Sequence, residues 1–167
     1  MSGAGDIEVT WPDGTVDTRT VSGGGSYEFT PSSPLSDGVD RDVEATFDNG
    51  TDPTKNAQTT LTIDTQAPGV PGAPDLKSES DTGLYDDDNV TNAGDLSFSV
   101  SSTDDFFRFY RNGEHVGEDY VNALQDYTVN GPSEGMYNYQ VRAVDRAGNI
   151  SPLSDTLGVT VDRTAPD

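Results

Sequence analysis

Two near-copies of one phrase, Asp64-Thr65-Gln66-Ala67-Pro68 and Asp162-Arg163-Thr164-Ala165-Pro166, set the frame of this chain. Each follows an alternating, strand-like run, Thr60-Leu61-Thr62-Ile63 in one case and Leu157-Gly158-Val159-Thr160-Val161 in the other. The two Asp residues lie 98 positions apart (162 − 64), which is the usual length of one small β-sandwich. The chain therefore reads as all-β, with two modules in tandem: residues 1–68, a linker at 69–74 and residues 75–167.

In the first module, Ile7-Glu8-Val9-Thr10-Trp11 alternates apolar and polar residues before Pro12-Asp13-Gly14 turns it, which is a strand followed by a hairpin signal. Trp11 is expected in the core at the strand end, as most aromatics are buried. Val16 to Val21 reads as the return strand, Ser22 to Gly25 as a loop and Tyr27-Glu28-Phe29 as a further strand. Ser36-Asp37-Gly38 turns into the run Asp42 to Phe47, Asp48 to Pro53 forms a loop, and Thr59 to Ile63 closes the module. About five strands result, where a complete immunoglobulin-like sandwich has seven. The first module is thus expected to lack its first strands, and its open edge invites a second chain, so a homodimer by strand exchange is the partnership to look for.

The second module starts at Asp75-Leu76-Lys77, runs through the acidic loop Ser80 to Asn89 and enters the strand Leu96 to Val100. Phe106 to Arg111 leads to Asn112-Gly113, the strongest hairpin signal in the chain, in the place that Asp13-Gly14 holds in the first module. Gly38 to Asp48 and Gly135 to Asp145 both span 10 residues (48 − 38 and 145 − 135), so the repeat extends beyond its closing phrase. No segment has the period of a helix.

Composition narrows the function. There are 30 acidic against 9 basic residues, a net charge of −21, so nucleic acid and anionic membrane surfaces are repelled and cations are the natural partners. The chain has no Cys, which removes disulfides and thiolate metal sites. It contains no apolar run long enough to insert into a membrane, and Met1 to Gly5 has none of the regions of a signal peptide. Because Asp167 follows the second Ala-Pro directly, the sequence is expected to be a piece of a longer repetitive protein. His115 is the only His, so the usual nucleophile–base pairs cannot be built, and no catalytic residue or enzyme activity is expected.

The run Val144-Asp145-Arg146-Ala147-Gly148-Asn149-Ile150-Ser151, the closing Val161 to Pro166, and Ser80-Asp81-Thr82-Gly83 with Asp88-Asn89-Val90-Thr91 resemble the bacterial immunoglobulin-like tandem repeats of giant surface adhesins of the RTX and biofilm-associated type. The resemblance covers the second module fully and the first from its third strand onward. It implies immunoglobulin-like or fibronectin type III-like sandwiches forming a long extracellular stalk on the bacterial surface, with Ca2+ at the junctions between neighbouring modules stiffening it. Phe47-Asp48-Asn49-Gly50-Thr51-Asp52 departs from the Asp-x-Ala-Gly-Asn phrase, so a site there is not expected.

Calcium takes six to eight oxygen ligands, and Asp and Asn cluster in loops here. In a sandwich of this type the loop before the last strand lies at the amino-terminal end, so Asp145 and Asn149 are expected to meet Asp64. Asp81, Asp86, Asp87 and Asp88 are expected to meet Asp162 at the other end. The principal reading is a structural extender segment rigidified by calcium. The alternatives are a tip-proximal binding module, recognising a glycan, peptide or surface through loops such as Asp104 to Tyr110, and an accessory domain of an extracellular hydrolase.

Overall fold

The computed structural model describes residues 3–51, 54–101 and 104–166, and the chain divides into two compact units, Met1–Thr65 and Gln66–Asp167. The described residues contain strands and no helix.

The first unit is one antiparallel sheet of β1 (Gly5–Thr10), β2 (Val16–Val21), β3 (Gly38–Asp48) and β4 (Lys55–Ile63), in the order β2-β1-β3-β4. Alternation along β1 sends Ile7 and Val9 into the core and leaves Asp6 and Glu8 exposed. Together with Val21 and Phe47 they form the buried cluster, against which Trp11, Tyr27, Phe29, Val43 and Ala45 pack. Trp11 is half-buried, and its indole N–H donates to Asp17 Oδ2 at 2.6 Å, so one ring serves both core and hairpin. The β1–β2 turn closes because Gly14 takes a φ of 82° and Asp13 Oδ1 accepts from both the N–H and the hydroxyl of Thr15.

The second unit is a full sandwich. One sheet has the order β10-β7-β5, from β5 (Asp75–Leu76), β7 (Leu96–Ser99) and β10 (Tyr127–Val129). The other has the order β6-β12-β11-β8-β9, from β6 (Val90–Thr91), β8 (Phe106–Arg111), β9 (Glu114–Asn122), β11 (Gly135–Val144) and β12 (Leu157–Val161). Leu76, Leu96, Phe98 and Val129 from the first sheet meet Phe107, Phe109, Tyr139, Val141, Val159 and Val161 from the second, all buried. At the centre the Phe98 ring lies 5.1 Å from that of Phe109 and 4.6 Å from that of Tyr139. Burial pushes the Tyr139 phenol up to about 12, so it stays neutral inside the sandwich. The stretch between the two repeats is part of this unit: Pro74 is fully buried and the Gly72 N–H donates to Ser101 O at 3.3 Å.

The sheet order β2-β1-β3-β4 of the first unit is that of β9-β8-β11-β12 in the second. The registers agree: Val9 faces Ala45 as Phe109 faces Val141, and Val43 faces Thr59 as Tyr139 faces Leu157. Ile7 facing Phe47 and Phe107 facing Ala143 are the same pair with the large and small members exchanged. The equal Gly-to-Asp spacings hide one difference. A register shift between Gly38 and Arg41, with Asp40 at a φ of 49°, takes up one extra residue in β3, so Asp48 stands where Val144 does and not where Asp145 does.

Among its described residues, the first unit has no counterpart of β5, β6 and β7. Tyr27-Glu28-Phe29, expected as a strand, belongs to no ladder. The physical reason is the missing neighbour, since the corresponding β10 is a strand only through its pairing with β7. The described residues of the first unit therefore form one sheet of an immunoglobulin-like sandwich, without the first strands of the fold.

Replacing Phe98 by Ala should destabilise the second unit by about 3–5 kcal/mol, the usual loss for a fully buried aromatic. Urea unfolding of the full chain, followed by the near-ultraviolet signal of the second unit's tyrosines and by Trp11 fluorescence, should show only the former transition moved to lower urea.

Candidate functional site

One end of the second unit is built on the loop between β5 and β6. The chain leaves β5 in a tight turn, with the Ser80 N–H donating to Lys77 O at 2.7 Å, and Ser80 and Asp81 become buried. The hydroxyl of Thr91 donates to Ser80 O at 2.6 Å and Ser80 Oγ accepts the N–H of Ser97 at 2.9 Å, so two short polar side chains fix the loop to both sheets. Gly83 lies so close to the Val90 carbonyl that a Cβ there would collide with it. Beyond Gly83 the tip is exposed, including Asp86, Asp87 and Asp88.

Asp81 is the unusual residue. It is only 2% exposed, and its Oδ2 accepts the N–H of Asn89 at 2.9 Å, which holds Asn89 at a φ of 59°. Its Oδ1 is buried without a hydrogen-bond partner. A carboxylate oxygen removed from water without compensation is costly, and an ion or ordered water is the usual compensation. A hard cation meets that need.

Asp162 reaches the same end because β6 runs parallel to β12, pairing Thr91 with Val161, and the Asp162 N–H donates to Thr91 O at 2.9 Å. Its Oδ1 accepts from the Thr164 N–H at 2.9 Å, and Asp88 Oδ1 accepts from the Val90 N–H at 3.0 Å. Asp81, Asp88 and Asp162 thus lie on the segments that lead into and out of the Val90–Thr91 strand and its partner β12. Among the described residues, however, no three His, Cys, Asp or Glu side chains converge closely enough to hold an ion by themselves. Calcium here would have to complete its shell with carbonyls, water or a neighbouring module.

The second cluster lies at the other end of the unit, the ten-residue strand β11 separating the two by roughly 30 Å. Asp145 Oδ1 accepts the Asn149 N–H and Oδ2 accepts the Asn149 Nδ2–H, both at 2.9 Å, so the predicted ligand pair shapes its own loop. Beside it Arg146 makes a two-pronged contact with Asp105, at 2.6 and 3.3 Å. Asp64 belongs to the first unit, exposed just beyond β4, where Asp37 Oδ1 accepts both the N–H and the hydroxyl of Thr65. Asp52 lies outside the described residues.

The stretch Asp104 to Tyr110, expected as a binding loop, is mostly the interior strand β8, with Phe107 and Phe109 fully buried. Two features escaped the sequence. Ser151 and Ser154 are buried, and each hydroxyl accepts a β11 amide, from Ala143 at 2.9 Å and Val141 at 3.0 Å, along a segment that Pro152 keeps from pairing as a strand. Arg163 anchors the exit of β12, donating to the carbonyls of Pro132 at 2.9 Å and Ala93 at 2.5 Å, while Glu134 accepts its backbone N–H at 2.8 Å. The repeated Asp-x-x-Ala-Pro phrase marked this exit, but the first copy has Thr65 where Arg163 stands, so the repetition did not point to the Arg163 anchor.

Residues 67–163, more than half of the chain, match the sequence model of the bacterial Ig-like domain. The chain belongs to the bacterial Ig-like domain family. Among solved structures, the fibronectin(III)-like modules of Clostridium thermocellum CbhA are similar, with a TM-score of 0.51 and 16% identity over 96% of this chain and 79% of that one. That likeness is one of fold. A biofilm associated protein BSP domain structure is aligned over 99% of this chain and 26% of its own, at 20% identity and a TM-score of 0.34. No curated protein matches.

In the Ig-like unit of residues 66–167, burial pushes the Asp145 carboxyl up, but the hydrogen bonds from Asn149 and the backbone N–H groups of Gly148 and Ala147 outweigh it and hold the carboxyl below its ordinary value. A carboxyl lowered in this way stabilises the folded loop above its unfolded value, about pH 4, and that contribution is lost as the pH falls through the lower folded-state value. Thermal melts between pH 5 and pH 2.5 should therefore fall more steeply for the unsubstituted chain than for Asp145→Asn. Parallel curves would contradict this role of Asp145.

Proposed function

We propose that this chain is a structural extender segment of a bacterial surface adhesin, carried outside the cell, in which calcium bound by the acidic loops stiffens the row of Ig-like modules. The observation that carries the metal part of the reading is the buried Asp81 oxygen without a partner, inside a loop that presents Asp86, Asp87 and Asp88 and leads into the strand that Asp162 pairs with through its backbone. Asp81, Asp88 and Asp162 are the side chains that would hold the ion, with Asp64, Asp145 and Asn149 as the candidate set for the preceding junction. Bound calcium would replace repulsion among neighbouring carboxylates by attraction to one centre. It would stabilise the ordered loop by mass action, in a range suited to extracellular calcium.

The reading is non-catalytic. The one His, His115, is partly exposed at the β8–β9 hairpin with its Nε2 beside Glu118 O, and family membership supports a structural or adhesive module. A second reading, a binding module for a glycan, peptide or surface, is favoured by Leu84 and Tyr85, exposed by 89% and 62% at the tip of the acidic loop.

The test is thermal melting and small-angle scattering of the chain in millimolar calcium and in chelator. Calcium should raise the melting midpoint of the second unit and reduce the spread of dimensions, and Asp81→Asn should remove most of the rise. No difference between calcium and chelator would contradict the metal part of the reading. Saturable heat with a glycan panel, without any calcium effect, would favour the second.

A further inference from the structure

The first unit shows its core face to a groove of about 410 Å³, lined by Ile7, Val9, Tyr27, Phe29, Val43 and Ala45 along with Gly25. The second unit shows what belongs there. Val43 and Ala45 are half-buried, while the residues in the same register positions, Tyr139 and Val141, are fully buried. The difference is made by β7, whose Leu96 and Phe98 are both 0% exposed beneath the sheet. β7 is held by pairing with β10, Phe98 facing Tyr127 and Leu96 facing Val129. The first unit keeps the β10 counterpart, Tyr27-Glu28-Phe29, with the same aromatic at its start, but no strand lies beside it.

We propose that this groove is a strand-acceptor site: it takes one extended polypeptide strand, separate from residues 1–167, in which bulky apolar residues alternate with small polar ones as they do in β7. The incoming backbone pairs with residues 27–29, and its alternate side chains enter the groove over Ile7, Val9 and Ala45. This is strand addition to an exposed edge, in which backbone hydrogen bonds give affinity and pockets for alternate side chains give selectivity. A second copy of this chain is the poorer occupant, because its own β7 is committed to its own sandwich and both copies are strongly acidic. The proposal needs no metal and stands apart from the calcium reading.

The probe is a synthetic peptide of this chain's own residues 95–101, added to the full chain in chelator and followed by amide chemical shifts. Saturable binding with shifts confined to the first unit is expected. Affinity should weaken about tenfold or more when the peptide's Leu and Phe are both replaced by Ser, because the apolar burial is lost. Ala45→Glu should abolish binding while the circular dichroism and melting of the chain show that its sheet persists. If that variant does not fold, the comparison of the two peptides still decides. Absence of saturation, equal binding of the two peptides, or a chain that sediments as a dimer and excludes the peptide would each overturn the proposal.

Discussion

Contact between two sheet faces through Phe98, Phe109 and Tyr139 is what the rest of the second unit depends on. A single sheet has one apolar face too many, and only a second layer removes it from water. In the second unit β7 carries Phe98 into contact with β8 and β11, after which the loops need only short polar anchors: Ser80 and Thr91 at one end, Ser151 and Ser154 on the β11 flank. The first unit has the same four-stranded sheet in the same order without that second layer. Its Tyr27 and Phe29 rest on the face outside any strand, and its buried set shrinks to Ile7, Val9, Val21 and Phe47.

The charge pattern follows from this architecture. Strands commit their alternate residues to the core, so most acids sit in turns and on outward faces, where water and short Asx-type hydrogen bonds solvate them. Asp13, Asp88, Asp145 and Asp162 each accept a backbone N–H two or four residues onward, which shapes their loops. Asp81 is set apart by position, not charge: its loop buries it and leaves one carboxylate oxygen without a hydrogen-bond donor.

Much of the fold was legible because alternation and turn chemistry are local. The hairpin at Asn112-Gly113, the strand read as Leu96 to Val100 and found as Leu96 to Ser99, the absence of helix among the described residues and the missing first strands of the first module could all be read along the chain. Nonlocal features could not. Tyr27-Glu28-Phe29 has a strand's pattern and no partner, and the bulge at Asp40 leaves the Gly38-to-Asp48 count unchanged while moving its register. Phe106 to Tyr110 mixes aromatics with Arg in a way that suits a surface loop or an interior strand, and only pairing with β11 decides for the strand. Of the candidate metal residues, the sequence showed acidity and repetition. It held no sign that Asp81 would be buried while Asp86 and Asp87 stay exposed.

The claim that one shared sheet is covered in the second unit and uncovered in the first is tested most directly by native-state hydrogen exchange of the full chain, residue by residue. Core amides of β8 and β11 should exchange only with global unfolding of their unit, whereas those of β1 and β3 should open at a distinctly lower free energy. Equal or greater protection in β1 and β3 would mean that the first unit is already closed, and the account would be wrong.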